Sequence, residues 1–330
     1  MSGQTLSVTG SGTVSSANVG TGKNVTSVNL ALANGSGSAS NYSINSLTAE
    51  ITGKPVTISG SRLYDSTTTA SSSILTVTSG VSGESLSLTG SGVLGAASAG
   101  TQTITNNNTL AIADGSGGLA SNYTLSGATI NVTIIPRTLN VTLSREYDGT
   151  TSVSGASLTP TFDSLQGGET LALSGTGSVS TANVGSSKAV SLGSIALVAG
   201  SGNPSNYSLN SATMNVTQRV INLDGIRAYD ATTNVLSSDI NTFGNIVSGE
   251  TLTISGTGSV GNNSVAMNKA ITIGSLSLGN GSGLASNYTL TGGTHTFDIS
   301  PVSVNVTGSR QYNGTNVIDS SDLLLTNLLT

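Results

Sequence analysis

Cysteine and tryptophan are both absent from the 330 residues of this chain, and charged residues make up only 8% of them. The lack of cysteine excludes a disulfide scaffold and a thiolate metal site. It does not indicate a cytosolic protein, because many exported bacterial proteins also lack cysteine. The net charge of −5 is spread thinly, and no basic stripe is present, which argues against nucleic acid as a partner.

Long apolar runs are also missing. No stretch of 18 apolar residues and no basic amphipathic helix occurs, so we expect no membrane insertion. The first five residues, MSGQT, have neither the charged start nor the apolar core of a signal peptide. The low charge argues against ordinary disorder, which needs charge to keep a chain solvated.

Glycine is abundant, with 43 residues, and serine, threonine, asparagine and β-branched residues supply much of the rest. This composition is typical of many short strands joined by tight turns. Segments of alternating apolar residues support it, for example Leu139, Val141 and Leu143. A period of two indicates a strand with one buried face.

The eight tyrosines reveal an internal repeat, which decides the fold of such a chain. One family begins YDG-like segments at intervals of 83, 82 and 83 residues: Tyr64, Tyr147, Tyr229 and Tyr312. The other lies in SNY segments at intervals of 81, 84 and 81 residues: Tyr42, Tyr123, Tyr207 and Tyr288. We call them the YDG tyrosines and the SNY tyrosines.

Charged residues keep the same spacing. The YDG tyrosine is followed by aspartate in three copies: Asp65, Asp148 and Asp230. An arginine stands two residues before it in all four: Arg62, Arg145, Arg227 and Arg310. A glutamate follows a glycine and precedes a strand-like segment in three: Glu84, Glu169 and Glu250. Gln4 takes that place near the start of the chain.

Taking the YDG tyrosines as limits divides the chain into five parts. Residues 1–63 form a partial repeat without its N-terminal part, and 312–330 begin a further, truncated repeat. Three full repeats lie between them, at 64–146, 147–228 and 229–311. We therefore expect Met1 to be an added start and the chain to be a piece of a longer array.

The predicted fold class is all-β, with tandem antiparallel β-sandwich-like repeats of about 82 residues. Pro55, Pro136 and Pro301 precede the strands that lead to three of the four YDG-type turns, and this indicates a junction without a flexible linker. Such repeats would form an elongated rod of at least about 120 Å. The alternative is a continuous β-solenoid, although solenoids show shorter periods.

Several segments together resemble a known family. They are YDGTT, the GE-strand-GTGSV segment, the ANVG loops at 17–20 and 182–185, SNY[ST]L and IIPRTLNV. They look like the YDG-type, MBG-related tandem repeats of large secreted bacterial exoproteins, including filamentous-haemagglutinin-like adhesins of two-partner secretion. The resemblance implies a secreted or cell-surface location and a role as a stalk or adhesive filament. The copies depart from YDG at Ser66, Ala231 and Asn313, and this argues against the triplet as catalytic machinery.

Catalytic and cofactor sites find little support, and we expect no enzyme, cofactor or metal. The only histidine, His295, replaces an apolar strand residue in one copy, so a packed histidine is the simpler interpretation. The segment Gly20–Asn24 resembles half a phosphate loop but lacks the first glycine and the magnesium ligand. The recurring aspartates are not grouped at calcium-loop spacing, and turn capping explains them.

The recurring arginine shares the parity of the inward residues, so its guanidinium needs partners. We predict that it pairs with the recurring glutamate at a repeat end or between neighbouring repeats; the alternative is an arginine that reaches solvent. The predicted function is a structural stalk or spacer whose partners are neighbouring repeats of the same chain. The rival is a multivalent module for host or matrix glycans. Sequons such as Asn206 and Asn287 arise from composition alone.

Overall fold

A computed structural model describes residues 3–27 and 29–328. Within those residues every regular element longer than three residues is a β-strand, which confirms the all-β prediction. The helical elements are single 3-10 turns: Ala39–Asn41, Ser72–Ile74, Ala120–Asn122, Gly155–Ser157, Pro204–Asn206, Ser237–Asp239, Ala285–Asn287 and Ser320–Asp322.

The strands follow one order that recurs along the chain. The first group is β1 (Leu6–Thr9), β2 (Gly12–Val14), β3 (Gly20–Ser27), β4 (Ala31–Asn34) and β5 (Thr48–Ile51). The second is β6 (Lys54–Leu63), β7 (Thr69–Ser71), β8 (Leu75–Thr78), β9 (Leu86–Thr89), β10 (Ser91–Leu94), β11 (Gly100–Gln102), β12 (Ile104–Asn106), β13 (Ala111–Asp114) and β14 (Tyr123–Ile135).

The third group is β15 (Arg137–Glu146), β16 (Ser152–Ser154), β17 (Thr161–Phe162), β18 (Leu171–Ser174), β19 (Thr176–Val179), β20 (Gly185–Ser191), β21 (Ala196–Ala199) and β22 (Tyr207–Thr217). The fourth is β23 (Arg219–Val220), β24 (Asn222–Ala228), β25 (Asn234–Leu236), β26 (Ile240–Gly244), β27 (Leu252–Ser255), β28 (Thr257–Val260), β29 (Ala266–Thr272), β30 (Ser277–Asn280), β31 (Tyr288–Thr289) and β32 (His295–Ser300). Last come β33 (Asn305–Gly308) and β34 (Leu323–Thr326).

Each group builds its own sheets. The third forms a sheet in the order β16-β19-β20-β22-β15-β17, and the fourth repeats it as β25-β28-β29-β32-β24-β26. A separate two-stranded sheet accompanies each, β18-β21 and β27-β30. Among the described strands, no sheet contains strands from two of these groups. This favours discrete domains over a solenoid.

The centre of these sheets differs from the purely antiparallel sandwich that we predicted. β6 pairs in parallel with β14, and β24 pairs in parallel with β32. Parallel neighbours need a long crossover, and the whole repeat between its first and last strand supplies one. The alternation of apolar residues could not show this, because side chains alternate with a period of two in parallel and in antiparallel strands alike.

The repeat limits placed at the YDG tyrosines fall inside the sheets. β6 precedes Tyr64 but pairs with β8 and β14, which both follow it. The structural repeat therefore begins with the strand before the tyrosine. Only Pro136 separates β14 from β15, and only Gln218 separates β22 from β23, so these junctions contain no flexible linker.

The chain divides into two compact units. The first comprises residues up to 138 together with 164–171 and 199–208, and its core contains Val56, Ile58 and Tyr123. The second comprises 139–163, 172–198 and the residues from 209 onward. One continuous cluster of buried side chains runs through the second unit, and it holds both Leu143 and Phe297. Two successive repeats therefore share a packed interior there.

Candidate functional site

A glutamate joins two tyrosines from successive repeats in the second compact unit. Glu250 accepts a hydrogen bond from the Tyr147 hydroxyl at Oε1 (2.6 Å) and another from the Tyr288 hydroxyl at Oε2 (2.6 Å). Tyr147 directly follows the first strand of one repeat, whereas Glu250 and Tyr288 belong to the next. Both tyrosines are buried in the shared core. We call this arrangement the tyrosine joint.

The first compact unit contains the same joint. Glu169 accepts from the Tyr64 hydroxyl at 2.6 Å and from the Tyr207 hydroxyl at 2.5 Å. The two rings meet edge to face with centroids 5.3 Å apart, and the rings of Tyr147 and Tyr288 do so at 5.4 Å. Edge-to-face pairs at this separation add to the stabilisation from burial.

Reduced versions of the joint lie nearer the N-terminus. Glu84 accepts from the hydroxyl of Tyr123, its own SNY tyrosine, and no YDG tyrosine precedes Tyr64 in the sequence. Gln4 accepts from the Tyr42 hydroxyl at 2.7 Å. One tyrosine can therefore be held by an amide, whereas both joints with two tyrosines have a carboxylate.

The electrostatics of the joint keep the phenols protonated. Burial, followed by the adjoining glutamate, raises the pKa of Tyr64 and of Tyr147 to about 12. The same two causes raise the pKa of Tyr207 and of Tyr288. A protonated phenol donates to a carboxylate, and bonds of this charge-assisted kind are short and strong.

The asparagine of the SNY segment forms a second contact between repeats. Asn287, of which 1% is exposed, accepts from the Val184 backbone N–H (2.9 Å) and donates to Asn183 Oδ1 (3.0 Å). In the other joint Asn206 accepts from the Ala99 backbone N–H at 2.8 Å. Val184 lies in the ANVG loop at 182–185, and Ala99 lies in the equivalent loop of the preceding repeat. Sequence reasoning noticed the asparagines only as sequons, although their constant place beside the SNY tyrosine was visible.

The predicted pairing of the recurring arginine with the recurring glutamate is wrong. Arg145 points inward as its parity indicates, and its side chain is 10% exposed. It then turns back to its own loop, where it contacts the Asp148 carboxylate (3.1 Å) and the Ser152 carbonyl (2.5 Å). The YDG-type loop offers several carbonyls within reach of one guanidinium, and Glu250 is already engaged by the two phenols.

The other arginines repeat this arrangement. Arg62 bonds the Thr67 carbonyl (2.5 Å) and contacts Asp65. Arg227 contacts Asp230 (3.0 Å) and the Thr232 carbonyl (2.6 Å). The aspartates also cap their turns, as Asp148 does by accepting from the backbone N–H of Thr150 at 2.9 Å. The recurring Arg–Asp–Thr set is therefore a loop clamp.

Two of the predicted YDG tyrosines do not form a joint with a residue of the described chain. Tyr229 is half-buried, and Tyr312 is 95% exposed. Arg310 nevertheless bonds the Thr315 carbonyl at 2.5 Å, so the loop clamp forms there too.

His295 lies on β32, where Nδ1 accepts from the Leu223 N–H (3.1 Å) and Nε2 contacts the Leu290 carbonyl (2.8 Å). Both ring nitrogens are thus occupied by backbone groups. In the described residues no three acidic or histidine side chains lie close enough to hold a metal ion. No helix there is long and apolar enough to cross a membrane.

Comparison with known protein families gives one result that covers well over half of the chain. The YDG domain model matches residues 49–131, 133–214 and 216–296. Each match begins shortly before the strand that leads to a YDG tyrosine and ends within the last strand of the same group, β14, β22 or β32. No curated protein and no solved structure matched the chain. The chain therefore belongs to the YDG domain family, of which it carries three copies in tandem.

Proposed function

We propose that this chain is a structural, non-catalytic stalk or spacer of a bacterial cell-surface or biofilm-matrix adhesin. The observation that carries the proposal is the tyrosine joint. Glu169 and Glu250 each bind tyrosines of two successive repeats, and a single residue separates the last strand of one repeat from the first strand of the next. Such junctions resist bending, which is what a spacer needs.

Repetition supports the same role. In tandem arrays each repeat contacts its neighbours only, so stability is local and copy number sets length. A binding or catalytic protein would concentrate unusual chemistry at one place. Here the polar residues in buried positions recur with the repeat and bond to turns or to the adjacent repeat.

The parent protein on this proposal is a large secreted exoprotein of the filamentous-haemagglutinin-like, two-partner-secreted kind. Residues that recur in four copies, such as the YDG and SNY tyrosines, support an origin in a long array. The test is immunogold labelling of intact cells of the source organism with antibodies to this chain. Labelling of the cell surface or matrix is expected, and labelling that requires permeabilised cells would refute the location.

Glycan binding is the rival function. It usually depends on exposed aromatic side chains, and Tyr64, Tyr147, Tyr207 and Tyr288 are buried in the joints. A pull-down of the purified chain with matrix polysaccharides separates the two functions. A spacer leaves the chain in the supernatant, whereas retention on polysaccharide would favour the rival.

A further inference from the structure

The last YDG-type turn differs from the other three at its second residue. It has asparagine, Asn313, where the others have Asp65, Asp148 and Asp230, and the next residue is Gly314. Glycine has no Cβ, so its backbone nitrogen can approach the preceding side chain closely. An asparagine followed by glycine can therefore cyclise through attack of that nitrogen on the side-chain amide carbon.

Three hydrogen-bond donors converge on the side-chain oxygen of Asn313. The Arg310 guanidinium donates to Oδ1, as do the backbone N–H (3.2 Å) and the hydroxyl (3.0 Å) of Thr315. Attack on the amide carbon places negative charge on this oxygen. Fixed donors aimed at a developing oxyanion, one of them cationic, lower the barrier to its formation.

The nucleophile is available. Among the described residues no hydrogen bond occupies the backbone N–H of Gly314, and the turn is exposed to water. The other two Asn-Gly pairs, Asn34-Gly35 and Asn280-Gly281, differ, and the Gly35 N–H is bonded to the Gly37 carbonyl (3.2 Å). The Gly281 N–H is bonded to the Gly283 carbonyl (3.1 Å), and the Asn280 side-chain oxygen accepts from the neutral Ala285 N–H (2.8 Å).

We propose that Asn313 is a self-catalysed deamidation site, at which the loop clamp converts a YNG turn into a YDG turn. The Gly314 nitrogen bonds to the side-chain carbon of Asn313 and loses its proton, and the side-chain nitrogen leaves as ammonia. Water then opens the succinimide ring. The net change is asparagine plus water to aspartate plus ammonia, with no oxidant or cofactor.

The product fits the loop. Donors that hold the Asn313 side-chain oxygen activate that carbonyl of the ring for water, so opening yields aspartate in preference to isoaspartate. The new carboxylate would meet the contacts that Asp148 already makes, which are Arg145 at 3.1 Å and the Thr150 hydroxyl at 3.0 Å. The fourth turn then has aspartate at its second residue, as the first three do.

The test is peptide mapping by mass spectrometry after incubation of the whole chain at mildly alkaline pH in ¹⁸O-labelled water. Asn313 is expected to convert to ¹⁸O-aspartate faster than Asn280, and faster than in a synthetic peptide of residues 308–318. Loss of an oxyanion donor slows enzymes on the order of 10²-fold, so an exposed site should lose about tenfold in Arg310→Gln. Thr315→Val should slow it less.

The sign of the effect makes the test decisive. If the turn merely protects Asn313 through its order, Arg310→Gln loosens it and speeds deamidation, which would overturn the proposal. A rate in the whole chain no higher than in the peptide would also overturn it. Thr150→Val is the control for Thr315→Val, because it replaces the equivalent threonine in a distant turn. It should leave the rate of deamidation at Asn313 unaltered.

Discussion

Replacing Glu250 by glutamine tests the tyrosine joint with the smallest change of shape. The carboxylate accepts from Tyr147 and Tyr288 at separate oxygens, both at 2.6 Å. A glutamine offers one acceptor and one donor group, so one phenol loses the acceptor of its O–H. A hydrogen bond to a charged group contributes about 1.5–3 kcal/mol, and Glu250 is only half-buried, so we expect a loss of about 2 kcal/mol.

Glu84→Gln is the matched control within the chain. Glu84 binds one phenol, that of Tyr123, and Gln4 already holds Tyr42 with an amide. The control should therefore lose less than about 1 kcal/mol, the usual value of a neutral hydrogen bond. Both variants remove the negative charge, but only Glu250→Gln removes the acceptor of a second phenol. The difference between the two losses in stability therefore reports the second hydrogen bond.

Amide hydrogen exchange read by mass spectrometry gives the local opening free energy, which a repeat array needs because unfolding is not all-or-none. The reporter is the Tyr147 N–H, which bonds the Thr217 carbonyl at 2.9 Å. A loss of 2 kcal/mol raises its exchange rate about 30-fold. Equal effects of Glu250→Gln and Glu84→Gln on their own tyrosine segments, or no effect of Glu250→Gln, would refute the reasoning.

Three further outcomes follow from the structure. Asn287→Ala should cost about 1–3 kcal/mol of local stability by hydrogen exchange, because it leaves the part-buried Val184 N–H without its acceptor; a loss below 0.5 kcal/mol would contradict this. The raised pKa of Tyr64 and Tyr147, about 12 against 10 when unfolded, keeps their stabilisation intact below pH 10. Stability should then fall as the pH rises from 10 to 12, as followed by tyrosinate absorbance and circular dichroism; ionisation of all tyrosines near pH 10 with the fold intact would contradict it. Arg145→Met should lower the thermal midpoint more than Asp148→Asn, since it removes the donor that binds the Thr150 and Ser152 carbonyls as well as the ion pair; an equal shift would point to the ion pair alone.

Much of the fold could be predicted from the sequence. Leu139, Val141 and Leu143 are almost fully buried, as their alternation indicates. The equivalent residues near the C-terminus, Val304 and Val306, are exposed despite the same pattern. Alternation reports which residues share a face, and burial then depends on whether another layer covers that face.

The joint itself could be predicted only in part. Parity placed the tyrosines and glutamates on the inner side, and a separation of 38 or 39 residues between glutamate and SNY tyrosine was visible in the sequence. The partner from the preceding repeat lies 103 or 105 residues away, and a periodic sequence cannot say which copy a residue contacts. Charge complementarity favoured arginine as the partner of glutamate, but the arginines are satisfied by their own loops.

Small-angle X-ray scattering of the chain, and of a variant from which residues 133–214 are deleted, tests the spacer proposal most directly. The deletion keeps the repeat in phase, so Tyr64 can meet Glu250 and Tyr288 in place of Glu169 and Tyr207. The proposal predicts a maximum dimension of at least about 120 Å that shortens by about 30 Å in the variant, with an unchanged cross-section. A compact particle with a radius of gyration of about 20 Å, or a cross-section that changes with the deletion, would contradict it.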